Sequence, residues 1–156
     1  MGSIQGDRVI TRVLFAVDRS TYCRLAADYV GALAAQLGAE VMLLHVVEVP
    51  RGVDASSFED HGEGPQLLAS LQDRLQRPGV NTTPVGIRGA RVGRVAEEIV
   101  DVATFYDVQL IVMGSKGESD LRGLLLGSTT HKVLQLAPCP VVVVPPWRGS
   151  PEEQHR

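Results

Sequence analysis

The sequence predicts an α/β domain: one three-layer unit in which a five-stranded parallel sheet carries helices on both faces. Three observations point there. Runs of β-branched apolar residues alternate with segments of three-and-four periodicity, strand then helix four times over and then a last strand. Each strand segment reads as apolar on both faces, as in a sheet covered from two sides. The chain has 156 residues, 44% of them apolar, which is enough for one ordinary core, and it shows no internal repeat or second domain.

The elements follow in order. "RVITRVLFAVD" (8–18) reads as a buried strand ending at Asp18. From Ser20 the period changes: Tyr22, Leu25, Ala26, Tyr29, Val30, Leu33 and Leu37 mark a helix, with Ser20 or Thr21 as N-cap and Gly38 as stop. "AEVMLLHVVEV" (39–49) is the second strand, and the polar, Gly/Pro-rich stretch 50–64 is a loop. Leu67, Leu68, Leu71 and Leu75 give a short helix that ends before Pro78-Gly79. "VNTTPVGIR" (80–88) is a third strand, weakened by Pro84 and Gly86 and therefore expected at a sheet edge. Val92, Val95, Ala96, Ile99, Val100 and Ala103 mark another helix, and "VQLIVMG" (108–114) the fourth strand. Val133, Leu134 and Ala137 mark a last helix ending before Pro138, and "PVVVV" (140–144) is the fifth strand. Right-handed crossovers leave few topologies for such a series.

Composition narrows the function. Fifteen Lys and Arg against 18 Asp and Glu give a net charge of −3, so no basic excess argues for nucleic acid as a partner. No apolar run approaches the ~20 residues that cross a bilayer, and the opening "MGSIQGDRVITR" lacks a signal peptide's apolar segment. The expectation is a cytoplasmic protein without membrane or nucleic-acid partners. Cys23 and Cys139 have no Cys-x-x-Cys spacing and read as packing thiols of a reducing compartment. His45 lies inside an apolar strand and reads as a hydrogen-bonded core residue. His61, His131 and His155 have no metal-ligand spacing.

The chemistry concentrates in "MGSKGESDLRGLLLGSTTHK" (113–132), where Gly114, Gly117 and Gly127 are followed by Ser128, Thr129 and Thr130. Glycine costs backbone entropy, so three at fixed spacing need a reason: a turn, or a close approach of backbone to a ligand. In a doubly wound sheet, ligands sit beyond the carboxyl ends of the strands, which is where this stretch falls. Its end opens a helix, whose first N–H groups are unpaired and whose dipole favours an anion. Ser128, Thr129 and Thr130 add hydroxyls, and Gly127 leaves room for a phosphate. Asp18, at the end of the first strand, reads equally as a helix cap or a ligand contact. The spacing is neither G-x-x-x-x-G-K-[ST] nor G-x-G-x-x-G.

The pattern G-x2-G-x9-G-[ST], formed by Gly114, Gly117, Gly127 and Ser128, resembles the nucleotide-binding signature of the universal stress protein family. "VLFAVDRS", "VMLLHVVE", "LIVMGSKG", "LLLGS" and "KVLQLAPCPVVVVP" are similar to that family as well. The likeness makes residues 9–145 a nucleotide-binding domain, with an extension over 1–8 and a polar tail over 146–156. It implies the strand order 3-2-1-4-5, with a crevice between the first and fourth strands. It implies further that Ala16, Val17 and Asp18 line the adenosine side, that Val46 meets the adenine edge through its backbone, and that Met113 lies beneath. Gly114, Ser115, Lys116, Gly117 and Glu118, together with Gly127, Ser128, Thr129 and Thr130, would then wrap ribose and phosphates. The implied ligand is ATP or another adenine nucleotide (ADP, AMP or a cyclic nucleotide), with Mg²⁺. The implied assembly is a homodimer through the last strand, Val141 to Val144.

Three functions remain open on these grounds. One is a regulatory nucleotide-dependent sensor or switch of the stress response. Another is a slow ATP hydrolase or phosphotransferase, for which only Asp18, Glu118 and Asp120 offer carboxylates and no catalytic constellation is recognisable. The third is a structural dimer module with an empty crevice.

Overall fold

A computed structural model describes residues 9–20, 22–115 and 126–145. The elements are β1 (Arg12–Val17), α1 (Tyr22–Leu37), β2 (Glu40–Val49), a 3₁₀ turn (Ala55–Ser57), α2 (Gly64–Leu75), β3 (Thr82–Arg91), α3 (Val95–Phe105), β4 (Leu110–Gly114), α4 (Ser128–Leu136) and β5 (Val141–Val144). All neighbouring strands pair in parallel, in the order β3-β2-β1-β4-β5. This is the architecture that the alternation of periods predicts, with the strand order that the family resemblance implies.

Strand alternation sorts the core into two layers. Val13, Phe15, Val17, Val41, Leu43, Leu110 and Val112 point to the face covered by α1 and α2. Leu14, Ala16, Met42, Leu44, Ile111 and Met113 point to the face covered by α3 and α4. Consequently β1 and β4, hydrogen-bonded neighbours, send their following helices to opposite faces, and a crevice opens between their carboxyl ends.

Several local features have clear causes. Gly38, at φ 62°, ends α1 in a Schellman motif: its N–H donates to Ala35 O at 3.4 Å and Ala39 N–H to Ala34 O at 3.0 Å. In β3 the pairing jumps from Leu43↔Pro84 to Leu44↔Gly86, leaving Val85 as an extra residue; Gly86 carries φ 106°. Pro84 and Gly86 thus mark an edge strand with a bulge, at the edge where the sequence places it. Thr21, one of the two expected caps of α1, lies outside the described residues.

Some boundaries depart from expectation. β3 runs on to Arg91 because β2 extends to Val49 beside it, and the Glu48 carboxylate accepts the Gly93 amide at 2.9 Å. Val92 precedes α3 and is 60% exposed, so it is no part of that helix's apolar stripe. Leu134 also faces outward, at 43% exposure. Helix α2 begins at Gly64, with Pro65 in its first turn, rather than at Leu67. The loop over 50–64 holds a 3₁₀ turn because Asp54 accepts the Ser56 amide at 3.0 Å.

Helices α3 and α4 are tied by charge as well as by packing. Glu97, in the first turn of α3, takes the ammonium of Lys132 from α4 and the guanidinium of Arg94 at 3.1 Å. The hydrogen bond from Lys132 is the main reason its carboxyl sits below the usual glutamate range. A depressed folded-state pKa contributes stability above the unfolded value and loses it as pH falls through the folded one. Glu97→Gln is therefore expected to lower stability at neutral pH, and the gap between variant and parent should close as the solution is acidified past the range of free glutamate. Urea unfolding across that range checks this; a gap independent of pH would count against the ion pair.

Candidate functional site

The crevice between β1 and β4 holds a cavity of about 130 Å³. Its apolar walls come from Ala16 on β1, Leu44 and Val46 on β2, Met113 on β4, and Val95 and Ile99 on α3. Asp18 and Gly114, the residues closing β1 and β4, stand at its mouth with Cys23, Ser128, Thr129 and Thr130. A larger cleft of about 800 Å³ lies elsewhere, along β3 and the outer side of α3, and contains none of the glycine-loop residues.

The start of α4 is fastened to the end of β4 by its own residues. The Ser115 amide donates to Val144 O at 3.0 Å, and the Gly127 amide donates to Ser115 O at 2.7 Å. The Thr130 hydroxyl, buried, donates to Gly114 O at 2.8 Å. These bonds leave the amides of Ser128, Thr129 and Thr130 without a partner among the described residues, at the positive end of a nine-residue helix. Gly127 is the N-cap and has no side chain to satisfy them. An anion at the mouth would meet these N–H groups directly.

On the opposite lip, Asp18 forms a turn rather than a regular helix cap. Its Oδ1 accepts the Ser20 amide at 2.9 Å and the Cys23 thiol at 3.2 Å. The Asp18 amide donates to Cys23 Sγ at 3.3 Å. Burial, and then the neighbouring Asp18 charge, push the Cys23 thiol up to about 12. Cys23 is therefore expected to resist alkylation by iodoacetamide at neutral pH until the chain unfolds. Modification of the folded protein at the rate of a free thiol, read by mass spectrometry, would contradict that placement.

The structure brings together Ala16, Val17, Asp18, Val46, Met113, Gly114, Ser128, Thr129 and Thr130 around this one cavity. Ser115 is not on its wall: it is buried and spends its backbone joining β4 to β5 and α4. Gly127 caps the helix beside it. Lys116, Gly117 and Glu118, together with Asp120 and Arg122, lie outside the described residues. Sequence reasoning missed Cys23, Leu44, Val95 and Ile99 as lining residues; it read Cys23 only as a packing thiol, and the only sign of the other three was their place on apolar runs or stripes, which is shared with every core residue. His45 is buried, as expected, with Nδ1 2.9 Å from Val17 O, while Nε2 has no partner among the described residues.

Fold and crevice together define a doubly wound α/β domain with a pocket at its topological switch point. Residues 10–145 match the profile of the universal stress protein family. Universal stress protein YxiE of Bacillus subtilis (strain 168) is 32% identical over 151 residues, spanning 87% of this chain and 99% of its own. Universal stress protein Sll1654 of Synechocystis sp. is 36% identical over 139 residues, spanning 85% and 84%. The solved structure of hypothetical protein MJ0577 superposes with a TM-score of 0.73 at 28% identity, over 91% of this chain and 99% of that one. The chain belongs to the universal stress protein family. Two more distant structures share the fold: a universal stress protein solved in complex with cAMP (TM-score 0.64, 23% identity, 88% of this chain and 98% of that one). The other, from Archaeoglobus fulgidus, was solved in complex with dAMP (TM-score 0.65, 20% identity, 86% and 98%).

Proposed function

We propose that this protein is a cytoplasmic regulatory member of its family, a sensor or switch whose occupancy by an adenine nucleotide changes its shape or its partners. The observation that carries this reading is the row of unpartnered amides at Ser128, Thr129 and Thr130, set beside an apolar cavity at the switch point. At about 130 Å³ the cavity suits a single ring system, being smaller than the roughly 300–1,000 Å³ of pockets that enclose whole drug-sized ligands. The base would enter between Ala16, Val46 and Ile99, and the phosphates would lie outside, along the opening turn of α4. The relatives solved with cAMP and dAMP favour the same ligand class.

ATP is the proposed physiological ligand, with Lys116, Gly117 and Glu118 completing the phosphate loop. Mg²⁺ bound with phosphates needs only one or two protein carboxylates, and Asp18 supplies one at the mouth. Among the described residues no group of three or more His, Cys, Asp or Glu gathers, so no resident metal centre enters the proposal. The homodimer would form through β5: Val142, Val143 and Val144 border a shallow hollow with Tyr29, and among the described residues β5 is the last strand on that side of the sheet.

Thermal unfolding with ATP and Mg²⁺, ADP, AMP and cAMP tests the reading. A ligand at about 100 times its Kd adds roughly 2.7 kcal/mol to the folded state. That is a rise of several degrees for a chain of this size. No rise with any adenine nucleotide would overturn the proposal. Rapid phosphate release under the same conditions would turn it toward hydrolysis, and sedimentation as a strict monomer would remove the dimer.

A further inference from the structure

We propose that the outer edge of β3 is a docking groove for an extended peptide segment of a partner protein, carrying two charged residues of opposite sign separated by one apolar residue. The site is independent of the nucleotide crevice, lying on the far side of α3. β3 ends the sheet, and among the described residues the outward backbone groups of Ile87 to Ala90 have no partner. Such an edge is a template for an added strand. Pro84 and the bulge protect its first half, and among the described residues no strand pairs with the outer side of its second half.

The second half forms the floor of the 800 Å³ cleft. One wall is the segment around Phe58, held close because Gly89 has no side chain: a Cβ there would lie 2.7 Å from both Ala55 O and Phe58 Cβ. The other wall is the outer face of α3, bearing Glu98 and Asp101. A strand of five residues is about 17 Å long, so the floor accommodates five or six residues of peptide.

Charge selects the occupant. The Arg88 side chain, on the floor, has no hydrogen bond or ion pair among the described residues, and neither do the side chains of Glu98 and Asp101 on the facing wall, although all three border the same space. Arg94 and Glu97, by contrast, are already paired. A peptide laid along β3 presents alternate side chains to α3, so residues i and i+2 meet these uncommitted charges and need opposite signs. Residue i+1 turns to the other side, where Ile87 and Phe58 offer apolar surface. Beyond Asp101 the cleft continues into a hollow bordered by Tyr106 and Phe105, the latter 79% exposed, where an apolar anchor would fit.

The test uses the full chain and blocked hexapeptides of the form Val-Glu-Val-Lys-Val-Thr, their Lys/Glu-exchanged counterparts, and controls bearing Glu/Glu or Lys/Lys. Binding by calorimetry should favour one opposite-sign order over both like-sign controls by roughly tenfold or more. Backbone amides of Ile87 to Arg91 should gain exchange protection. The double variant Arg88→Glu/Glu98→Lys replaces exposed or half-exposed side chains, should unfold at the parent temperature, and should prefer the opposite order. Equal binding of all peptides, protection elsewhere, an unchanged preference in the double variant, or occupation of this edge by a second copy of the chain would each overturn the proposal.

Discussion

Gly127→Val is expected to abolish the rise in unfolding temperature proposed for adenine nucleotides. The reason is space rather than backbone strain. Gly127 has φ −68° and ψ 158°, an extended conformation open to any residue, so its angles do not call for glycine. What a side chain would change is access to the next three amides, those of Ser128, Thr129 and Thr130. A branched side chain at the cap stands where a phosphate must come to reach them. The loss should be at least about a hundredfold in Kd, or roughly 2.7 kcal/mol, by calorimetry. Because Gly127 is itself buried, Gly127→Ala serves as the gentler companion and should fall between parent and valine variant. Parent-like affinity in a folded valine variant would remove the anion site from the opening of α4.

Phe15→Ala is expected to be the most damaging single truncation to stability. Phe15 is fully buried in the middle of β1, and β1 is the central strand, pairing Phe15 with Leu43 on one side and Val112 on the other. Only three phenylalanines occur in the chain, and apart from Cys23 the rest of this buried core layer is Val, Leu and Ala, so few neighbours are large enough to fill the void. Phe→Ala in a core costs about 3–5 kcal/mol, against roughly 5–15 kcal/mol of total stability. The unfolding temperature should drop by roughly 6–20 °C. Phe105→Ala makes the control: the side chain is 79% exposed and stacks edge-on with Tyr106 at 4.9 Å. Its stability should stay within about 0.5 kcal/mol of the parent. Comparable losses at the two positions would mean that the burial of β1 does not govern stability.

Much of this molecule is legible residue by residue. The two faces of β1 and β4 announce themselves as unbroken apolar runs, because a strand covered on both sides has no polar positions to spare. Gly38 is recognisable as a helix stop because only a residue tolerating positive φ closes α1 in this way. Pro84 and Gly86 place β3 at an edge because a missing N–H and a bulge are tolerated there. The run Gly127-Ser128-Thr129-Thr130 points to an anion site since the opening amides of any helix are unpaired, whatever the rest of the fold does.

Other features depend on what is distant in the chain. Thr130, expected among the phosphate contacts, gives its hydroxyl to Gly114 O, a bond set by how β4 and α4 meet. Asp18 engages Cys23 because α1 turns back over the end of β1. The extension of β3 to Arg91 follows from its neighbour β2, and Val92 is displaced from α3 by the same turn. Val95 and Ile99 become walls of the crevice only once α3 is laid across the sheet.

The sequence by itself determined the alternation of elements, the two-sided core and the position of the turn proposed to hold an anion, because each rests on local periodicity or on backbone groups a few residues apart. Tertiary structure alone decided which hydroxyls and carboxylates are already spoken for and which apolar residues line a cavity. Those depend on contacts between residues tens of positions apart, and no local pattern encodes them.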